Sequence, residues 1–420
     1  EVEPHVDAAL AEVAVHRALV VVLAHQRRDG AQVGALLRRI DRRVLPALPA
    51  HGLAGDEGRR AEPRFAHVPH AASFSGGVDT RVGLDRKRGQ RRDQRSRLLV
   101  GVGLRCSTKF DQQKAAPFGK ALVELGAKRP EIVGLTADLS KYTDLHLCAQ
   151  AYPDRFFQMG MAEQLLMGAA GGMAKEGLTP FATTYAVFGT RRAYDFIHQV
   201  IAEEHLNVKI CCALPGLTTG YGPSHQATDD IAMMRAVPGL TIVDPCDALD
   251  TEQAVTQIAA HDGPVYMRLL RGQVPLVLDE YDYKFELGKA KLLRDGDDVL
   301  VISSGIMTMR ALEVAQALTQ DRIGVAVLHC PTIKPLDEAA IIEAVRYRHR
   351  LVVVAENHSV VGGLGEAVAG ALLRHRVQPA GFQLAGLPDA FLDAGALPTL
   401  HDRYGISCDA LASRIKNWLE

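Results

Sequence analysis

From Pro117 onward, short apolar runs alternate with stretches of helical spacing, and Gly, Pro and Asp bound the runs. Residues 118–128 carry apolar side chains at helical spacing and stop at Pro130. Residues 131–135 form an apolar run that enters the turn Thr136-Ala137-Asp138. After Phe156 and Phe157, the small-residue stretch 163–176 reads as a helix ended by Gly177. Segments 179–182, 208–214, 240–243 and 265–269 read as buried strands. Runs of this kind alternating with helices predict a parallel sheet covered on both faces.

A connecting stretch, 273–285, with Pro275 and an acidic, aromatic patch, precedes a second series of the same kind. It predicts strands at 298–303, 324–328 and 351–355, helices at 309–318 and 336–345, and a Gly-rich helix start over 362–373. The expected fold class is α/β, as two consecutive doubly wound parallel-sheet domains, over 106–278 and 285–420.

The first part of the chain is different. Residues 1–105 hold 18 Arg and one Lys, whereas residues 106–420 hold 17 Arg and 12 Lys. Phe65 and Phe74 are the only Phe, Tyr or Trp residues in that segment, and it has no Met. Such a composition is what a GC-rich stretch yields when translated outside its coding frame. The expectation is a mis-set start and disorder over 1–105; a basic arm around 81–97 is the functional alternative.

With 47% hydrophobic and 23% charged residues and a formal net charge of −1, the chain has the composition of a soluble globular protein. It lacks the basic surplus that nucleic-acid binding requires. Its apolar stretches fall short of a membrane span, so no membrane partner and a cytoplasmic location are expected. The seven cysteines form no C-x-x-C pair and are expected as buried thiols.

In open parallel sheets, ligands bind beyond the carboxyl ends of the strands, and four features fall there. Gly160-Met161-Ala162-Glu163-Gln164 opens the small-residue helix. A carboxylate there is already explained by the helix dipole, worth about 0.3–1 kcal/mol. Thr184-Tyr185-Ala186-Val187-Phe188 sets two aromatics after a strand, where core packing is the plain explanation. Gly222-Pro223-Ser224-His225-Gln226 places a histidine in a Gly-rich loop, where a surface role is commonest. Arg268-Leu269-Leu270-Arg271-Gly272 ends a strand with two arginines suited to a phosphate or carboxylate.

In their order and spacing these segments, with Arg192-Ala193-Tyr194-Asp195, 238–245 and 352–359 followed by Gly362-Gly363-Leu364-Gly365, resemble the transketolase family. The likeness covers residues 115–420. It implies that Glu163 hydrogen-bonds the aminopyrimidine of thiamine diphosphate and acts in proton relay, with Phe188 stacking on that ring and Tyr185 beside it. It further implies that His225 binds substrate and stabilises charge on its oxygens, that Arg271 grips a sugar phosphate, and that Asp138 lies near the cofactor at a subunit interface.

The family's G-D-G stretch followed by paired asparagines, which binds the diphosphate and Mg²⁺, has no counterpart. Only Asn207, Asn357 and Asn417 exist, and Gly296-Asp297-Asp298 leads nowhere. The resemblance therefore implies a partner subunit that carries this motif and the metal ligands, in a 2+2 assembly. Where the family has an aspartate and a histidine that read the sugar, Tyr221 and Ala213 stand here, and Lys114 is the nearest candidate for a basic residue before the first helix. These departures favour an unusual ketose donor or acceptor. The expected activity is transfer of a two-carbon ketol unit between sugar phosphates. The alternatives are a 2-oxo-acid dehydrogenase beta subunit, a synthase joining pyruvate to a triose phosphate, and a non-catalytic assembly subunit.

Overall fold

The computed structural model describes residues 112–420, which belong to one compact unit. The expectations for residues 1–105 and for Cys106 lie outside the described residues. In chain order the first half runs β1 (Gln113–Ala115), α1 (Pro117–Lys128), β2 (Ile132–Thr136), α2 (His146–Ala151), β3 (Phe156–Gln158), α3 (Glu163–Lys175) and β4 (Thr179–Tyr185). It continues with α4 (Ala186–Arg192), a π-helical segment (Phe196–Ala202), β5 (Lys209–Ala213), α5 (Asp230–Ala236), β6 (Thr241–Val243), α6 (Ala248–Ala260), β7 (Val265–Leu269) and β8 (Gln273–Pro275). The second half runs β9 (Lys291–Arg294), β10 (Val299–Ser303), α7 (Ile306–Leu318), β11 (Val325–His329), β12 (Thr332–Lys334) and α8 (Glu338–Tyr347). β13 (Leu351–Ser359), α9 (Leu364–Arg374), β14 (Gly381–Leu387), α10 (Leu397–Arg403) and α11 (Cys408–Leu419) complete it.

The first sheet has the strand order β12-β6-β7-β5-β4-β2-β3, and the strands from β6 to β3 are parallel. Every residue of β2, β4, β5, β6 and β7 is buried, as strands covered on both faces must be. The second sheet has the order β14-β13-β10-β11-β9. β14, β13, β10 and β11 are parallel, and the expected α/β architecture is what forms.

Two strands depart from an all-parallel reading. β9 pairs antiparallel with β11 at the edge of the second sheet and is half exposed. β12 leaves the second half to pair antiparallel with β6, covering what would otherwise be an open edge of the first sheet. A three-residue strand with polar ends has no periodicity to betray it. The connecting stretch also contributes β8, which pairs antiparallel with β1.

A buried ionic cluster fastens the two halves. Arg268, 1% exposed on β7, donates to both carboxylate oxygens of Asp230 at 2.8 and 2.9 Å and to Asp244 at 3.2 Å. Its guanidinium also donates to the Asn357 carbonyl at 2.9 Å, and the Ser304 hydroxyl donates to Asp244 at 2.8 Å. The Tyr266 hydroxyl donates to Asp230 at 2.6 Å. Of the described cysteines, Cys148, Cys211, Cys212, Cys246 and Cys330 are free and buried, as expected. Cys408, half-buried at the start of α11, is disulfide-bonded, which departs from that expectation. Among the described residues no helix is long and apolar enough to cross a membrane.

Candidate active site

Because β2, β3, β4, β5 and β7 run parallel, their carboxyl ends lie along one edge of the sheet, and the segments that leave them carry the candidate residues. Asp138 follows β2, Glu163 follows β3, Tyr185 is the last residue of β4, His225 lies in the segment after β5, and Arg271 follows β7.

Glu163 is the first residue of α3 and is 2% exposed. Gly160, at φ +71°, turns the chain from β3 into this helix, and its amide donates to the Gln158 side chain at 3.1 Å. The Arg192 guanidinium donates to both Glu163 oxygens, at 3.3 and 3.2 Å. Arg192 is half exposed, and its guanidinium carbon lies 4.1 Å from the centre of the Phe188 ring. Phe188 and Arg192 are four apart on α4, hence on one face. α4 begins directly after Tyr185. Gly189 lets it lie close to the sheet: a Cβ there would come within 2.7 Å of the Cys212 sulfur and 2.9 Å of the Thr184 methyl.

The aromatic groups converge. The Tyr185 and Phe188 rings are 5.9 Å apart, the Phe188 and His225 rings 5.3 Å, and the Tyr185 and His225 rings 6.4 Å. His225 Nδ1 is 2.9 Å from the Ser224 hydroxyl, and the Tyr221 ring, largely exposed, lies 5.5 Å from the imidazole. Burial pushes the Tyr185 phenol up in pKa, so it stays protonated at neutral pH.

Arg271 joins this wall through Tyr142, whose ring centre is 5.9 Å from the guanidinium carbon and 6.5 Å from the Tyr185 ring. Arg271 Nε is shielded from solvent and has no hydrogen-bond partner among the described residues. An unpaired buried donor is costly; the residue as a whole is half-buried, and its terminal guanidinium nitrogens, unlike Nε, are not among the shielded unpaired atoms. The neighbouring Gly272 amide donates to Asp144 at 2.9 Å. Burial pushes that carboxyl up in pKa.

Glu163, Tyr185, Phe188, His225 and Arg271 are thus linked through Arg192 and Tyr142. Asp138 is not part of that chain of contacts. It is exposed, with φ +59°, and exchanges hydrogen bonds with Gln158, at 2.7 Å from its amide and 3.3 Å to its carboxylate. Two of the basic residues weighed from sequence take structural positions. Arg268 is consumed by the buried cluster, because it lies inside β7, whereas Arg271 lies beyond the strand end. Lys114 pairs with Glu252 at 2.6 Å. Arg192 is a site residue that the motifs do not single out; its place four after Phe188 is the signal for it.

Two family models match the chain. They are Transketolase, pyrimidine binding domain, over residues 112–277, and Transketolase, C-terminal domain, over residues 288–411. A transketolase family protein of Sinorhizobium fredii, uncharacterized by its own name, is 65% identical over 328 residues, 78% of this chain and 95% of that one. The 6-deoxy-6-sulfo-D-fructose transketolase subunit of a Clostridium species is 38% identical over 287 residues, 68% of this chain and 88% of that one. A solved split gene transketolase, described as an inactive beta4 tetramer, matches with TM-score 0.66 and 41% identity, covering 72% of this chain and 97% of that one.

Proposed function

The chain belongs to the transketolase family, and from that premise we propose that it is the pyrimidine-binding and C-terminal subunit of a split transketolase. Its domains are placed at 106–278 and 285–420. The activity is transfer of a two-carbon ketol unit between sugar phosphates, with thiamine diphosphate and Mg²⁺ held jointly with a partner subunit in a 2+2 assembly in the cytoplasm.

The observation that carries this reading is the placement of Arg192. A planar cation lies over the Phe188 ring and donates hydrogen bonds to a carboxylate that is otherwise buried. Those two contacts are the ones an aminopyrimidine would take over, so Glu163, Phe188 and Tyr185 fit that end of thiamine diphosphate. When bound, thiamine diphosphate supplies the nucleophilic carbon and the electron sink of ketol transfer.

The chain's own part follows from its geometry. Glu163 holds or passes a proton at its carboxylate, shielded from water by α3 and α4. Phe188 and Tyr185 give the flat walls, and Tyr185, kept protonated, can donate from its hydroxyl. His225, poised by Ser224, faces the same rings and can bind a substrate oxygen or exchange a proton with it. Arg271 takes the anionic end of the sugar at its guanidinium. Asp138, tied to Gln158, supports the turn that delivers Glu163 and lies toward the partner. Tyr221 and Ala213 favour an unusual ketose donor or acceptor. The diphosphate and Mg²⁺ are left to the partner's G-D-G…N-N motif. The related chain solved as an inactive beta4 tetramer supports partner dependence.

The purified chain alone is expected to show no ketol transfer from a ketose phosphate to an aldose phosphate in a coupled assay. Adding the partner subunit, thiamine diphosphate and Mg²⁺ is expected to restore it. Turnover by the chain alone would refute the split assignment.

A further inference from the structure

The segment carrying His225, residues 214–229, leaves β5 and reaches α5 with little regular structure of its own. Some of its backbone hydrogen bonds close within the segment, as from the Gly216 amide to the Ala227 carbonyl at 2.8 Å and from the His225 amide to the Gly222 carbonyl at 3.0 Å, and others are made to the second half of the chain. Asn357, 3% exposed near the end of β13, accepts from the Leu217 amide at 2.9 Å and donates to the Pro215 carbonyl at 3.3 Å. His401 Nε2 lies 2.8 Å from the Leu217 carbonyl, and His401 Nδ1 lies 2.8 Å from the Arg310 guanidinium. A guanidinium can only donate. Nδ1 is therefore the acceptor, and Nε2 carries the hydrogen it gives to Leu217. Arg310 is itself 5% exposed and donates to the Ile406 carbonyl at 2.6 Å.

Further along, the Gly395 amide donates to the Gly220 carbonyl at 3.0 Å. The Gln226 side chain donates to the carbonyls of Thr219 at 3.3 Å and Asp393 at 3.1 Å. The Ser359 amide donates to the Thr228 carbonyl at 2.8 Å. Contact is close enough to exclude side chains at two points. A Cβ on Gly216, which also has φ +60°, would be driven into the Asn357 carbonyl, and one on Gly220 into the Gly395 carbonyl.

We infer that the C-terminal domain is the frame that positions the His225 loop, with Asn357 and His401 as positioning residues and Arg310 fixing the orientation of His401. This rests on the reading of His225 as a substrate-binding group. The frame accounts for buried polar groups that the reaction itself does not use. His401 in particular is held neutral, its pKa pushed down to about 3 by burial and by the Arg310 charge. The hydrogen bond from His401 to Leu217 is therefore not lost through protonation of His401 near neutral pH.

The test compares His401→Leu, Asn357→Ala and His401→Gln in the full chain, Gln being able both to accept from Arg310 and to donate to Leu217. Amide hydrogen exchange is measured first on the chain alone. About tenfold or more faster exchange over 215–227 is expected in His401→Leu and Asn357→Ala, because a buried hydrogen bond is lost. The amides of α3 and α4 should be unchanged, and His401→Gln should be near wild type. In the reconstituted pair, the sugar-phosphate KM should rise about tenfold in the first two variants. The affinity for thiamine diphosphate should stay within about twofold, since Glu163 and Phe188 are not on this loop. Unchanged exchange over 215–227, an equal rise across α3, or a His401→Gln variant as impaired as His401→Leu would each overturn the proposal. If the wild-type pair fails to transfer a ketol unit, the enzymatic reading falls, while the exchange experiment still decides the positioning role.

Discussion

Replacing Glu163 by Ala is expected to leave a folded chain whose kcat, measured with its partner, is lower by about a hundredfold to ten-thousandfold. The loss arises because, among the described residues, the carboxylate that Arg192 pairs with beside the Phe188 ring is the one at the start of α3. Stability should change by about 1 kcal/mol or less, since a carboxylate in the first helical turn gains only a small dipole interaction. Its ion-pair partner is half exposed, which limits that contribution too. Urea unfolding checks stability, and the coupled assay checks turnover. A helix-start charge placed for the dipole alone would show the same small stability change with full activity, and that result would remove Glu163 from the chemistry.

The second large effect is one of stability. Arg268→Leu is expected to cost about 3–5 kcal/mol, because it strands two buried carboxylates, Asp230 and Asp244. Burial alone would raise the Asp230 carboxyl; the Arg268 charge, with His358 and the hydrogen bonds from Arg268 and Tyr266, outweighs it, leaving the carboxyl below its usual range. The Asn357 carbonyl also loses its donor, so the junction between the two halves weakens along with the core. A urea-unfolding free energy within about 1 kcal/mol of wild type, on the scale expected for a surface substitution, would contradict the structural role. Arg271→Leu should be nearly neutral in that assay, because its Nε has no partner to lose among the described residues.

The contrast between these two arginines shows what was legible from residues alone. Both stand in one short motif and look equivalent there. Yet Arg268 falls inside an apolar run, and β7 has the bounds that run predicts, Val265–Leu269. A charge inside a strand covered on both faces must be buried and paired, and Asp244 sits just past the end of the neighbouring strand β6. That much could have been drawn from period and burial.

Other features could not. β12 crosses to the first sheet with three residues and no pattern. α4 starts without a loop, so the aromatic pair looked like a strand end followed by core. The hold of Asn357 and His401 on the His225 loop depends on contacts between residues well over a hundred positions apart, which spacing does not record. Local chemistry was readable where a helix start or strand end placed it. Long-range hydrogen bonding was not.

One experiment bears most directly on the central claim, which is that Glu163 meets the ring of a coenzyme whose charged tail is anchored by another polypeptide. It is a structure of the chain assembled with its partner and thiamine diphosphate. The expected result has a Glu163 carboxylate oxygen at hydrogen-bond distance from a pyrimidine nitrogen, the ring against Phe188, Arg192 displaced, and the diphosphate on the partner. A ring bound elsewhere, or a Glu163 side chain still paired with Arg192 in the loaded complex, would contradict the account.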